Sequence, residues 1–233
     1  MVSVCIASYN GSKYITRQIN SILSQLKNND EIIVSDDNSS DNTCELLDEF
    51  NDKRIKIIRN KKTIGPLANF ENALKNANGH YVFLSDQDDI WAPDKILLMT
   101  EYLQKYDLVL SDCEVVDEAL NTLIPSFFDY RSSKPGLLRN LYKNSYIGCC
   151  MAFRREVLTY ALPFPTSVHM HDWWIGLLVE LNGCVGFVHK PLMKYVRHGK
   201  NASPTGEASD YSSIERIQTR LILLWYIFKR WLC

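Results

Sequence analysis

The 233-residue chain contains no Cys-x-x-Cys pair, no Gly-x-Gly-x-x-Gly and no Gly-Lys-Ser/Thr step. The first absence removes the common zinc and dithiol motifs, and the other two remove the dinucleotide fingerprint and the Walker phosphate cradle. Charge of one sign is also lacking. With 26 Lys and Arg against 27 Asp and Glu, the formal net charge of −1 gives no electrostatic reason to expect nucleic acid as a partner. The first residues carry neither a basic n-region nor a long apolar h-region, so no secretory signal is expected. No apolar run reaches the ~20 residues of a membrane span. Seven cysteines, odd in number and scattered through apolar runs, are expected to be reduced, buried thiols of a cytosolic protein. The length suits one domain with at most a short appendage.

What is present is an alternation of short β-rich runs and amphipathic stretches. Val2 to Ala7 predicts a buried strand opening onto Ser8-Tyr9-Asn10-Gly11, and Ile15, Ile19, Ile22, Leu23 and Leu26 then recur at helical spacing. Glu31 to Ser35 predicts a second strand running into Asp36-Asp37-Asn38, followed by a helix over about residues 43–50. Ile55 to Ile58, a helix from Gly65-Pro66, and Tyr81 to Leu84 continue the pattern, and Pro93 suits the first turn of a helix reaching Leu103. Leu108 to Leu110 supplies a further strand. This order predicts an α/β fold with a mostly parallel sheet flanked by helices. After about residue 120 the alternation weakens, as expected of a more elaborated half.

In open α/β sheets ligands bind beyond the carboxyl ends of the strands, and three of the expected ends are unusually polar. They are Ala7-Ser8-Tyr9-Asn10, Asp36-Asp37-Asn38 and Asp86-Gln87-Asp88-Asp89. An isolated Asp-x-Asp is as a rule a solvated loop. Placed after a buried strand beside a second strand-end Asp pair, it reads as a cation site, and oxygen ligands suit Mg²⁺ or Mn²⁺ bridging to substrate phosphates.

These segments, with Val2 to Asn10, Glu31 to Asp41 and Phe83 to Trp91 as they stand, resemble the family 2 glycosyltransferases of the GT-A fold. The resemblance continues through Gly65-x-x-x-Asn69, His171-Asp172-Trp173-Trp174 and Tyr195 to Asn201, and the later motifs resemble the rhamnosyltransferase-like branch. It implies an inverting transferase that takes a sugar from a nucleotide-diphosphate donor, a UDP- or dTDP-sugar, to a glycan or lipid-linked acceptor in polysaccharide biosynthesis. By resemblance Ala7 and Tyr9 line the nucleoside pocket, Asp37 accepts from the base edge, and Asn69 orients the loop carrying Asp37 or meets the donor. Asp86 approaches the ribose or the metal's surroundings, Asp88 binds the metal, His198 reaches the metal or diphosphate, and Arg197 pairs with phosphate. Asp89 either caps the following helix or serves as a ligand. Asp172 is the expected base for the acceptor hydroxyl, with Trp173 and Trp174 as apolar walls and flat faces for sugar rings. An Asp at that place also suits the N-cap of a helix over residues 173–181. Val196 stands where the branch often has Tyr directly before Arg.

The resemblance divides the chain into a GT-A domain at 1–210, with a nucleotide-sugar half at 1–112 and an acceptor half at 113–210, and a C-terminal amphipathic helix at 211–233. In that tail Ile217, Leu221, Leu224, Trp225 and Phe228 fall at helical spacing beside Arg216, Arg220, Lys229 and Arg230. This suits a peripheral helix on an anionic membrane surface, through residues 214–231, or a terminal helix docked on the domain or on a second subunit as a homodimer. Two other functions compete. A Mg²⁺-dependent phosphohydrolase would need its Asp-x-Asp after the first strand, where this chain has it after the fourth. A non-catalytic nucleotide-sugar binder would not need both Asp88 and Asp172.

Overall fold

The computed structural model describes residues 1–61, 65–168, 170–199, 201 and 212–232. Lys200, Cys233 and the expected boundary near residue 210 lie outside them. Strand β1 (Val2–Ser8), helix α1 (Ile15–Leu23), β2 (Glu31–Asp36), α2 (Thr43–Asp48), β3 (Ile55–Arg59), α3 (Pro66–Lys75) and β4 (Tyr81–Asp86) follow the order expected from the apolar periodicity. These four strands lie side by side as β3-β2-β1-β4, all parallel. Apolar residues run through β1 and β2 because central parallel strands are covered on both faces. Val4, Ile6, Ile32 and Val34 are all fully buried.

Register fixes the site. Ala7 pairs with Ser35 on β2 and with Asp86 on β4, so the three polar strand ends form one level row.

Beyond β4 come β5 (Ile90–Trp91), α4 (Lys95–Tyr102), β6 (Leu108–Val116), β7 (Thr122–Ile124), α5 (Phe127–Arg131) and α6 (Leu137–Tyr142). They lead to β8 (Met151–Arg154), α7 (Leu158–Ala161), α8 (His171–Asn182), β9 (Val185–Val196) and α9 (Ser213–Leu232). Here the sheet departs from a purely parallel pattern. β8 inserts antiparallel between β4 and β6, β6 pairs parallel with β9, and β5 pairs antiparallel with β9. The β5–β9 pairing, Ile90 with Lys194, draws the end of β9 toward the acidic loop that follows β4. β6 runs across residue 112, so one continuous sheet joins the two expected halves.

Three expectations shift locally. The helix expected from Pro93 starts at Lys95, with Pro93 in the turn before it. The helix expected at 173–181 starts at His171, which puts Asp172 in its first turn and leaves the N-cap to Met170. The C-terminal helix docks on the domain, but through Leu223 and Ile227, which are buried. Burying two such side chains stabilises the contact by roughly 1.5–3 kcal/mol each. Arg220 Nε donates to Leu141 O at 3.0 Å, and the Arg230 guanidinium donates to Leu162 O and Pro163 O at 2.7 and 2.6 Å. Of the described cysteines, Cys5, Cys113, Cys149 and Cys150 are free and buried as expected, whereas Cys44 is half-buried and Cys184 is exposed, which corrects the expectation that all are buried.

Candidate active site

The loop after β1 is held by the loops after β2 and β4. Tyr9 N–H donates to Gln87 Oε1 and Gln87 Nε2 donates back to Tyr9 O, each at 3.0 Å. Asn10 adopts φ 47°, a left-handed conformation that Asn tolerates, and its Oδ1 accepts from Ser40 N–H at 2.8 Å. The Tyr9 side chain is 56% exposed, so its ring is presented to solvent rather than packed in the core.

The two aspartates after β2 differ in work. Asp36 is buried and accepts from Ser8 Oγ at 3.0 Å and from Ser39 N–H at 2.9 Å, so it holds the loop. Asp37 accepts from Asn60 Nδ2 at 2.9 Å through one oxygen and from Gly65 N–H at 2.7 Å through the other. Gly65 sits at φ 126°, where a side chain would be strained, and this conformation aims its N–H at Asp37. Each Asp37 oxygen keeps a second lone pair for another donor. Asn69 donates from Nδ2 to Ser8 O at 3.1 Å and is 2% exposed, which places it beneath the β1 loop; its Oδ1 is buried with no hydrogen-bond partner.

Asp86 ends β4, and two further carboxylates, Asp88 and Asp89, follow it. Asp88 Oδ2 lies 2.6 Å from His198 Nε2, and the His198 ring stacks on Tyr14 with centroids 4.7 Å apart. Arg17 donates to Asp88 O at 3.1 Å and fixes the loop's backbone. Asp89 is fully buried; one oxygen accepts from Val196 N–H at 3.2 Å and the other has no partner. That contact answers the helix-cap alternative, because Asp89 reaches across to β9 instead of capping α4. Arg197 follows with its backbone N–H on Val116 O at 2.8 Å.

Asp172 enters from the first turn of α8. It is 4% exposed, and accepts from Gly148 N–H at 2.9 Å and Trp173 N–H at 2.7 Å. Its neighbour His171 stacks on Phe70 at 4.1 Å and is held neutral by burial, its pKa pushed down to about 3. Trp173 Nε1 donates to Asn140 O, and Trp174 Nε1 donates to Ala161 O, both at 2.9 Å. Trp174 is fully buried, which corrects the expectation of two sugar-facing rings: it is a wall of the core and offers no sugar platform.

The electrostatics of this floor are those of stacked carboxylates. Burial, then Asp88, then Asp172 push Asp86 up to about 7. Burial, then Asp88 and Asp86, push Asp89 well above the usual carboxylate range. Burial pushes Asp172 up to about 6, against the opposing backbone N–H bonds and the positive end of α8. Asp86, Asp89 and Cys149 offer ligand atoms within 4.8 Å of one another. The Cys149 thiol is itself raised by its contact with Cys150 and by burial, stays protonated, and does not suit an oxygen-seeking ion. Asp88 and His198, 2.6 Å apart, offer an oxygen and an imidazole donor of the kinds that a Mn²⁺-type cation takes.

Several supports gave no signal in the sequence. Lys95 is fully buried, with Nζ on Cys149 O at 2.6 Å and 4.5 Å from the Trp91 ring centroid. Gly148 passes so close to α8 that a Cβ would lie 2.8 Å from His171 Nε2. Gln87, between the two aspartates, ties the β1 and β4 loops.

This strand order and acidic sheet edge define the nucleotide-sugar transferase class with the GT-A fold. Staphylococcus aureus TarS 1–349 in complex with UDP-GlcNAc superposes with a TM-score of 0.73 at 21% identity, over 96% of this chain and 66% of that one. The mannosyltransferase PcManGT from Pyrobaculum calidifontis, in complex with GDP-Man and Mn²⁺, gives 0.65 at 20% identity, over 98% of this chain and 64% of that one. The family described as glycosyl transferase family 2 matches residues 3–160, and the chain belongs to it. A relative from Escherichia coli, the UDP-Glc:alpha-D-GlcNAc-diphosphoundecaprenol beta-1,3-glucosyltransferase WfgD, is 31% identical over 186 residues, 78% of this chain and 71% of that protein. The chain is thus a glycosyltransferase that spans about two thirds of the length of these proteins.

Proposed function

We propose that the chain moves a hexosyl group, with inversion, from a UDP- or dTDP-sugar to a lipid-linked glycan acceptor at the cytoplasmic face of a membrane. WfgD acts on a diphosphoundecaprenol-linked sugar with UDP-Glc, TarS is complexed with UDP-GlcNAc and PcManGT with GDP-Man. The rhamnosyl donors suggested by the later motifs fall in the same donor class. Residues 1–112 bind the donor and 113–210 the acceptor in this reading. The observation that carries it is the row Ala7, Ser35 and Asp86 at the strand ends, with Asp88 two residues beyond it and Asp172 close enough to perturb Asp86.

Tyr9 stacks on the base, Asp37 accepts from the base edge, Asn69 steadies both loops, and Arg197 meets the diphosphate. Asp88 and His198 hold Mg²⁺ or Mn²⁺. When bound, the cation offsets the charge that develops on the departing nucleoside diphosphate. Asp172 takes the acceptor hydroxyl proton as that oxygen bonds to the anomeric carbon, and the bond to the diphosphate breaks on the opposite side. A pKa near 6 suits this base, being ionised at neutral pH yet basic enough to receive the proton. The test is paired. Asp172→Asn keeps nucleotide-induced thermal stabilisation and loses transfer, whereas Asp88→Ala loses the Mn²⁺-dependent part of that stabilisation. Transfer at the wild-type rate by Asp172→Asn would overturn the assignment of the base.

A further inference from the structure

Helix α9 has two apolar faces, and the domain uses only one. Leu223 and Ile227 turn inward, while Ile214, Ile217, Leu221, Leu224, Trp225 and Phe228 are between 44% and 69% exposed. Their spacing makes one continuous outward ridge along about four turns. Next to it α6, joined through the Arg220 bonds to Leu141 O and Tyr142 O, leaves Leu138 and Tyr142 about four-fifths exposed at 80% and 79%.

The charge around this ridge says what covers it. Helix α9 carries Arg216, Arg220, Lys229 and Arg230 against a single acid, Glu215, and residues 134–143 add Lys134, Arg139 and Lys143 with no acid. The chain as a whole is −1, so this corner is basic and the remainder is acidic. A second copy packed across a twofold axis would set this basic border against itself. An anionic lipid surface answers it everywhere, and Trp225, with Lys229 Nζ 5.3 Å from its ring centroid, is the side-chain pair expected at the headgroup level. No helix among the described residues is long and apolar enough to cross a membrane, so such a helix lies on the surface.

We propose that the outer face of α9 docks on an anionic bilayer and that its inner face fixes the acceptor site relative to that surface. The coupling is direct. Arg220 stands 5.9 Å from the Trp173 ring centroid and Arg230 stands 5.6 Å from that of Trp174, so the membrane helix grips the two residues that follow Asp172. The consequence for a lipid-linked acceptor rests on the transfer reading above; the membrane contact itself does not.

Flotation of the whole chain with phosphatidylcholine vesicles, with and without phosphatidylglycerol, tests it without turnover. The wild type floats with the anionic vesicles and is released by salt, because surface charge attraction is screened. Leu224→Ser/Trp225→Ser/Phe228→Ser keeps the wild-type melting temperature and loses binding by at least about tenfold. Lys134→Glu/Lys229→Glu, which leaves the apolar ridge intact, loses binding to a similar extent of about tenfold. Asp172→Asn floats like the wild type, so a failed base assignment leaves this result untouched. Equal flotation of the wild type and both variants overturns the proposal. So does a concentration-dependent dimer in vesicle-free solution that the triple variant dissociates, since the ridge is then covered by a second copy.

Discussion

The two ends of the sheet reach the same site by different means. From β1 to β4 the proposed site residues, Asn69 on α3 apart, sit at or just past the tips of strands that register aligns, as Ala7 is by Ser35 and Asp86. From β8 to β9 the contributions arrive singly: Asp172 in the first turn of α8, and His198 just past β9, more than a hundred residues along the chain from its partner Asp88. Register is robust because many backbone bonds fix it together, whereas a lone side chain depends on the few contacts behind it. The half whose strand tips form the site is therefore expected to tolerate change in its supports better than the half that contributes single side chains.

That contrast can be broken at several points. The largest effect is expected at Asp172→Asn, with kcat reduced by about 10²–10⁴-fold and nucleotide binding retained, measured by steady-state transfer and by melting with nucleotide. Asp88→Ala should remove the Mn²⁺-dependent share of donor stabilisation, of order a few kcal/mol at saturating ligand, read by the same melting experiment with and without Mn²⁺. In the wild type kcat/KM should fall about tenfold per pH unit below the Asp172 pKa of about 6, because the base must be ionised; a flat profile from pH 5 to 7 would separate Asp172 from the chemistry. Gly148→Ala sharpens the comparison: its Cβ meets His171 Nε2, so it should cost roughly 1–3 kcal/mol of stability and lower kcat while donor affinity stays unchanged.

The smallest effect concerns Asp86 in metal-free protein. Its folded pKa of about 7 lies above the unfolded value, so the fold penalises the ionised form. The stabilising contribution of the protonated form is complete at low pH and is lost as pH rises through about 7. Asp86→Asn should accordingly raise the melting temperature by roughly 2–4 °C near neutral pH, with the gain shrinking toward pH 4.

Much of the donor side was legible because apolar periodicity and strand-end polarity are local signals. The strands β1 to β4 and the Asp86-x-Asp88 placement follow from them, and the resemblance to the family carries the roles. The antiparallel insertion of β8 was not legible, since a four-residue strand of Met, Ala, Phe and Arg has no pattern to set its direction. The tail shows a subtler limit: periodicity found an apolar stripe but not which of two stripes packs, because Leu223 and Ile227 are chosen by the groove beneath them. Trp174 reads as a sugar platform beside Asp172, yet helical geometry turns successive residues about a quarter of the way round, and this one faces the core. Lys95 gives no warning at all, since a lysine in a first helical turn is ordinarily solvated.

The reciprocal pair of bonds between Tyr9 and Gln87 makes a glutamine side chain imitate one rung of a strand ladder. It bolts the place where a nucleobase would rest to the loop where a diphosphate would end, so the two cannot drift apart independently. In the proposed reading, with Tyr9 at the base and Asp88 at the metal, this bond pair would hold the two contacts at a constant separation.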